Sequence, residues 1–300
     1  MTKPKIGFIG LGLMGAAMVE RLQALGYSVT ITANRARPRI DAAVARGAVE
    51  VETARDVAAA SDIVVFCMDT SASVEARVYG PDGVLAGLRT GAVVIDFGTS
   101  LPASTLKIGA DIAAKGAAYL DAPLGRTPAH AIDGKLNIMG AGDKAAFDKV
   151  EPVLKDLGEN VFHLGPLGTG HKIKLMNNFF AMTTACAMSE VFAMADAAQV
   201  PRESVYSVMA AGPLRSGMMD FIRNYAMEGQ IDLAFSMANA AKDVGYYAEM
   251  ADGLGVASRM SGAARATLAE ALGEGWGDKM VPEMVDFLAG KLAGKLAEKG

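Results

Sequence analysis

Cysteine is scarce here: the 300 residues contain two, Cys67 and Cys186. They lie far apart in apolar surroundings with no Cys-x-x-Cys spacing, which excludes a disulfide framework and predicts two buried thiols in a reducing compartment. The three histidines, His130, His163 and His171, are scattered, and none belongs to a His-x-x-x-His or His-Glu-x-x-His arrangement, so no metal site is expected. No block of Lys and Arg occurs and the formal net charge is −4, which argues against nucleic acid and against an anionic membrane surface as partners. The one apolar run of membrane-spanning length, after Gly170, carries Glu190 and Asp196. Polar residues from Met1 to Lys5, followed by a glycine-interrupted apolar run, do not resemble a signal peptide. A cytoplasmic protein with small-molecule ligands is the expectation.

What is abundant is apolar and small: 51% hydrophobic residues and 34 glycines, enough for a large core. The length suggests two domains. In the first half, β-rich runs at Lys5 to Ile9, Ser28 to Ala33, Ile63 to Met68, Ala92 to Asp96 and Ala118 to Asp121 alternate with helical spacing at Met14 to Leu25, Ile40 to Arg46 and Ala103 to Lys115. That alternation predicts a parallel sheet covered on both faces. Leu136 to Met139 and Asn160 to His163 read as added edge strands, with a helix over Lys144 to Asp156 between them. The second half is nearly free of β-branched runs. Its Met-rich and Ala-rich segments at Arg202 to Met209, Met218 to Met227, Phe235 to Leu254 and Ser258 to Leu272 predict a helical bundle in which methionine fills the interfaces, and the repeats beyond Gly290 read as a tail. The fold class expected is therefore α/β, with a dinucleotide-binding Rossmann domain over 1–165 and an all-α domain over 166–300, joined by a long helix.

Gly10, Leu11, Gly12, Leu13, Met14 and Gly15 occupy the turn from the first strand into the first helix. In such a turn Gly10 permits the reversal, Gly12 lets the backbone approach a pyrophosphate, and Gly15 lets helix and strand pack closely. The end of the second strand reads Asn34-Arg35-Ala36-Arg37, with no carboxylate before Asp41 to hold a ribose 2′-hydroxyl. Arg35 and Arg37 suit a 2′-phosphate instead, so NADP(H) is expected over NAD(H), which stays possible; solvated surface arginines are the plainer alternative. Met68, at the end of the third predicted strand, falls on the cofactor side.

From Gly168 to Phe180 two glycines open a helix on which Lys174, Asn177 and Asn178 stand at i, i+3 and i+4 and so share a face. Burying an ammonium beside two amides is costly without partners, and a substrate is one possible partner. A Lys174 that reaches the surface while the Asn pair cross-links helices is the other reading.

Five motifs, Gly10-x-Gly-x-x-Gly15, Asp96-Phe-Gly-Thr-Ser-Leu-Pro102, Asp121-Ala-Pro123, Gly168-x-Gly-x-x-x-Lys174-x-x-Asn-Asn178 and Lys242-Asp243, resemble in order and spacing those of the β-hydroxyacid dehydrogenases, to about Gly277. The resemblance implies a Rossmann domain, a helical domain that often builds a homodimer or homotetramer, and an enzyme. It also implies a catalytic role for Lys174, a substrate-orienting role for Asn178 beside Asn177, Thr99 near nicotinamide and substrate, and Lys242 on the cofactor or substrate side. An ammonium near the carbonyl has a chemical reason: hydride arriving at carbon leaves negative charge on oxygen.

One departure points to the substrate. Where the family has a Ser-Gly-Gly or Thr-Gly-Gly run, this chain reads Leu124-Gly125-Arg126-Thr127, which adds up to five N–H donors and suits an anion with more oxygens than a carboxylate. That run resembles the sulfolactaldehyde reductases. Gly125, Arg126, Thr127 and Asn178 are thus expected to contact a small anionic substrate, a sulfonate or otherwise a carboxylate or phosphonate. The interconversion expected is that of sulfolactaldehyde and 2,3-dihydroxypropane-1-sulfonate. The alternatives are a 3-hydroxyisobutyrate or tartronate semialdehyde enzyme, with Arg126 on a carboxylate or in a structural salt bridge, and a dinucleotide-binding sensor without chemistry. Asp96-Phe-Gly98-Thr99 also lacks the family's serine before Thr99.

Overall fold

The computed structural model describes residues 3–33 and 37–297, and the chain separates into two compact units, Met1–Lys174 and Leu175–Gly300. In the first, β1 (Ile6–Ile9), β2 (Val29–Thr32), β3 (Val49–Val51), β4 (Ile63–Phe66), β5 (Val93–Asp96) and β6 (Ala118–Asp121) form one parallel sheet in the order β3-β2-β1-β4-β5-β6. The helices between them are α1 (Leu13–Ala24), α2 (Arg37–Ala45), α3 (Ala54–Ala60), α4 (Ser71–Val78), α5 (Val84–Gly87) and α6 (Pro102–Ala113). Side chains alternate across each strand, so Ile63 and Val65 join one buried cluster with α1 and α2 while Val64 and Phe66 join another with α3 and α6. Burial on both faces explains why the central strands read as unbroken apolar runs. Each such Ile or Phe contributes about 1.5–3 kcal/mol on leaving water.

The expectation of two added edge strands is corrected. Residues 124–163 build a sheet of their own, in which β7 (Leu124–Gly125) runs antiparallel to β8 (Leu136–Gly140) and β8 runs parallel to β9 (Gly158–His163). The helices α7 (Pro128–Ile132) and α8 (Lys144–Leu157) connect them. A single bridge, Asp121 to Ala141, links this sheet to the end of β6. In this unit the elements absent from the sequence reading, β3, α3, α4, α5, β7 and α7, are all of eight residues or fewer. Two of those helices nevertheless carry a legible start, since Thr53 accepts from the Asp56 amide and Thr70 from the Ser73 amide.

Helix α9 (Thr169–Ala197) begins in the first unit and continues into the second without a break. The second unit otherwise consists of α10 (Arg202–Ala210), α11 (Gly217–Glu228), α12 (Met237–Gly253), α13 (Arg259–Gly273), a 3-10 turn at Val281–Glu283 and α14 (Met284–Ala297). Its core sets Met182, Met188, Met219, Met237 and Met284 among Phe192, Leu268 and Phe287. As far as Ala297, the stretch past Gly290 read as a tail is the second half of α14. Val285 and Phe287 anchor that helix in the core, and Lys291 pairs with Glu270 of α13 and with Glu274, which follows it. Among the described residues no helix is long and apolar enough to cross a membrane, and no group of His, Cys, Asp or Glu is arranged to hold a metal ion.

Candidate active site

Strand order reverses between β1 and β4, which opens a crevice at their carboxyl ends where such sheets bind ligands. Gly10 lies there with φ +104°, and a Cβ on it would fall 2.3 Å from the Cys67 carbonyl oxygen just past β4. A Cβ on Gly15 would lie 2.0 Å from the Gly10 oxygen, so α1 packs against the turn as closely as backbone allows. Gly12 differs: a Cβ there meets nothing within 4 Å. It caps α1 with no side-chain bond, and no acidic residue occupies the helix's first turn. The amides of that turn thus face open space with helix-dipole polarity favouring an anion, and Leu13 beside them is exposed. These residues fit a dinucleotide pyrophosphate.

Met68 joins the same rim, its sulfur 3.0 Å from the position of a Gly10 Cβ and its carbonyl 2.7 Å from that of a Gly98 Cβ. Half-buried Thr99 follows at the end of β5. Arg37 behaves otherwise than expected for a 2′-phosphate ligand. Its Nε donates to Asp41 and its two terminal nitrogens donate to the Glu50 carboxylate, which keep its pKa above the ordinary arginine value. Asn34 and Arg35 lie outside the described residues.

Beyond the cofactor turn, two buried carboxylates close the ends of β5 and β6. Asp96 accepts from the Gly98 amide at 2.8 Å and from the Ser100 hydroxyl at 2.8 Å. Asp121 accepts from the Gly168 amide through Oδ1 and from the His171 amide through Oδ2, each at 2.7 Å, and so caps the first turn of α9 from a distant strand. Burial pushes the Asp121 pKa up, opposed by His171 and by these amides. Burial, then the Asp96 charge, pushes the Cys67 thiol up to about 12. A Cβ on Gly170 would sit 2.2 Å from the Met139 carbonyl, which explains the second glycine of the Gly-x-Gly pair. One turn into this helix stands half-buried Lys174.

Arg126 sits on the turn after β7 in a left-handed conformation, φ +77°, unusual for a non-glycine residue. Its Nη1 donates to the Lys135 carbonyl at 2.7 Å and pairs with Glu159 at 2.5 Å. Gly125 pairs with Asn137 in the β7 and β8 ladder. Thr127 starts α7, and its hydroxyl lies 2.8 Å from His130 Nδ1.

In the second unit a polar chain runs over α9 and α12. The Asn177 side-chain amide donates to Asn178 Oδ1 at 3.1 Å, and Asn178 Nδ2 donates to Asp243 Oδ2 at 2.6 Å. Lys242 pairs with Asp243 Oδ1 at 2.9 Å and lies 5.3 Å from the centre of the Tyr246 ring. Asn178 is thereby held at both ends of its amide. Sequence reasoning gave no role to Asp96, Asp121, His171, Glu159 or Asp243. Carboxylates ending fully apolar strands were the available signal for the first two, since a buried charge needs partners.

Comparison with known proteins fits this arrangement. Residues 5–165 match the model of the NAD-binding domain of 6-phosphogluconate dehydrogenase, and residues 168–288 match the NAD-binding model of NADP-dependent 3-hydroxyisobutyrate dehydrogenase. The chain belongs to the β-hydroxyacid dehydrogenase family. Among its relatives in that family, 2-(hydroxymethyl)glutarate dehydrogenase of Eubacterium barkeri is 34% identical over 80% of each chain. The 3-sulfolactaldehyde reductase of Escherichia coli strain K12 is 29% identical over 91% of each. The fold is shared with Mycobacterium tuberculosis 3-hydroxyisobutyrate dehydrogenase, at TM-score 0.83 and 23% identity over 96% of this chain and 99% of that one. As a β-hydroxyacid dehydrogenase, the protein is an NAD(P)-dependent oxidoreductase acting on CH–OH groups, and the reading as a sensor without chemistry falls away.

Proposed function

We propose that this β-hydroxyacid dehydrogenase reduces a small aldehyde carrying a terminal sulfonate, with NADPH as the preferred reductant and Lys174 as proton donor. The observation that carries the substrate class is Arg126. A left-handed backbone suits glycine and costs an arginine about 1–2 kcal/mol, so keeping a guanidinium there beside Thr127 argues for a use beyond packing. The similarity to 3-sulfolactaldehyde reductase over most of both chains supports the same reading. In this proposal the substrate anion replaces Glu159 on Arg126. Thr99, Gly125, Thr127, Asn177 and Asn178 contact the rest of the substrate, and Lys242 keeps Asp243 in place to hold the Asn178 amide.

When bound, the dihydronicotinamide supplies a hydride to the carbonyl carbon. Lys174 balances the charge that develops on the carbonyl oxygen and passes it a proton. The preference for NADPH rests on the missing carboxylate after β2 and on Arg35; Arg37 contributes only by exchanging Asp41 and Glu50 for a phosphate. The exposed Phe180 and Val208 of the second unit support assembly as a homodimer or homotetramer.

A second reading has its own support: the partner Arg126 holds is itself a carboxylate, and the 34% identical relative is named for a hydroxymethyl dicarboxylate. Initial rates with sulfonate, phosphonate and carboxylate aldehydes, each with NADPH and NADH, separate the two. A sulfonate preference that vanishes in Arg126→Ala supports the first, whereas an unchanged preference refutes it. Lys174→Ala is expected to lower kcat by about 10²–10⁴-fold with NADPH binding intact.

A further inference from the structure

His171 has no part in the chemistry above, yet it is completely buried and tied to three elements of the first unit. Its Nδ1 lies 2.7 Å from the Thr105 hydroxyl on α6. Thr105 Oγ1 is also within 3.1 Å of the Leu101 carbonyl. Whichever partner gives the proton, this contact ties the imidazole to α6. Nε2 on the far side has no hydrogen-bond partner and faces Asp96 Oδ2 at 3.8 Å, while Nδ1 lies 3.9 Å from Asp121 Oδ2. A leucine would fill the same space with no polar atom left over, so packing alone gives no reason for an imidazole.

We infer that His171 is a positioning residue for Lys174. This rests on the reading of Lys174 as proton donor. The two bonds from Asp121 to the Gly168 and His171 amides, with the close approach of Gly170 to the Met139 carbonyl, fix where α9 begins through backbone contacts. A side chain anchored on α6 adds a restraint on the roll of the turn that carries Lys174. His171 stands three residues before Lys174, so the two project from neighbouring positions on one side of the helix and a roll that moves one moves the other. A displacement of about 1 Å at a reacting group lowers rate by up to about 10²-fold.

The test compares kcat, KM and NADPH affinity in His171→Leu and His171→Asn. Leucine removes the bond to Thr105, whereas the asparagine amide bonds from nearly the place of Nδ1. His171→Leu is expected to lose about tenfold or more in kcat while KM and NADPH affinity stay within about twofold, and His171→Asn to recover most of the loss. A wild-type kcat in His171→Leu, a fall in NADPH affinity that tracks kcat, or no recovery with asparagine would each overturn the inference. Should His171→Leu not fold, Thr105→Val removes the same bond from the other side. Its kcat must fall in the same way, and a wild-type kcat there is equally fatal. Lys174→Ala separates this from the proposed chemistry: full activity in that variant sinks the proton donor itself. Its inactivity beside an unaffected His171→Leu removes only the positioning role.

Discussion

Replacing Arg126 by glycine and by alanine separates its backbone cost from the use of its guanidinium. Alanine keeps the left-handed strain and removes the salt bridge to Glu159 and the bond to the Lys135 carbonyl. The side chains are 30% and 55% exposed, so the pair contributes about 0–1 kcal/mol, and the carbonyl bond about 1 kcal/mol. Arg126→Ala is therefore expected to lose about 1–2 kcal/mol. Arg126→Gly loses the same contacts but relieves about 1–2 kcal/mol of strain, offset by about 0.5–1 kcal/mol from the looser unfolded chain. The net gain is about 0–1.5 kcal/mol, so it should melt up to about 6 °C above the alanine variant, read by calorimetry at one pH. Both variants lose the guanidinium, and a partly exposed charge-assisted bond to substrate is worth about 10–100-fold in kcat/KM for a sulfonate. A glycine variant less stable than alanine refutes the strain. Equal kcat/KM in all three proteins refutes the anion site.

Three further outcomes are expected. Gly12→Ala should fold with stability within about 1 kcal/mol of wild type because its Cβ enters open space, yet raise KM for the dinucleotide about tenfold or more. Gly15→Ala should instead lose stability, since its Cβ meets the Gly10 oxygen, and urea midpoints alongside dinucleotide KM check both. Asp121→Asn offers one acceptor oxygen to two amides and should cost about 1–3 kcal/mol in urea unfolding; an unchanged midpoint contradicts the cap. Burial, with Asp96 and Glu190 behind it, raises the Cys67 and Cys186 thiols from 9.0 to about 12. Because the folded value lies above the unfolded one, their contribution is present below pH 9 and is lost as pH rises through 12. A Cys67→Ala, Cys186→Ala double variant should then lose less stability over that range than wild type, and equal losses refute the assignment.

Much of the fold was legible because long apolar strands and helices announce themselves by period. The glycine turn and α9 could be read from their spacing alone. Two-residue β7 and three-residue β3 carry too few side chains to show a period, and without β7 the strands at 136 and 160 read as edges of the main sheet rather than as a sheet of their own. Lys174 and Asn178 were legible as a helix face, but their supports were not. Thr105 and His171 are 66 residues apart, as are Asn178 and Asp243 by 65, and no local pattern pairs them. Arg126 stood out as a residue, whereas its left-handed backbone and its hold on Glu159 depend on the second sheet.

The unbroken course of α9 has a consequence for anyone recombining this enzyme with its kin. Because α9 runs through the boundary between the nucleotide half and the helical half, a chimera has to be spliced inside a helix and keep the residue count from Gly168 onward. One inserted residue ahead of Lys174 would turn the amine by about 100°, a quarter-circle or more away from its counterpart in either parent.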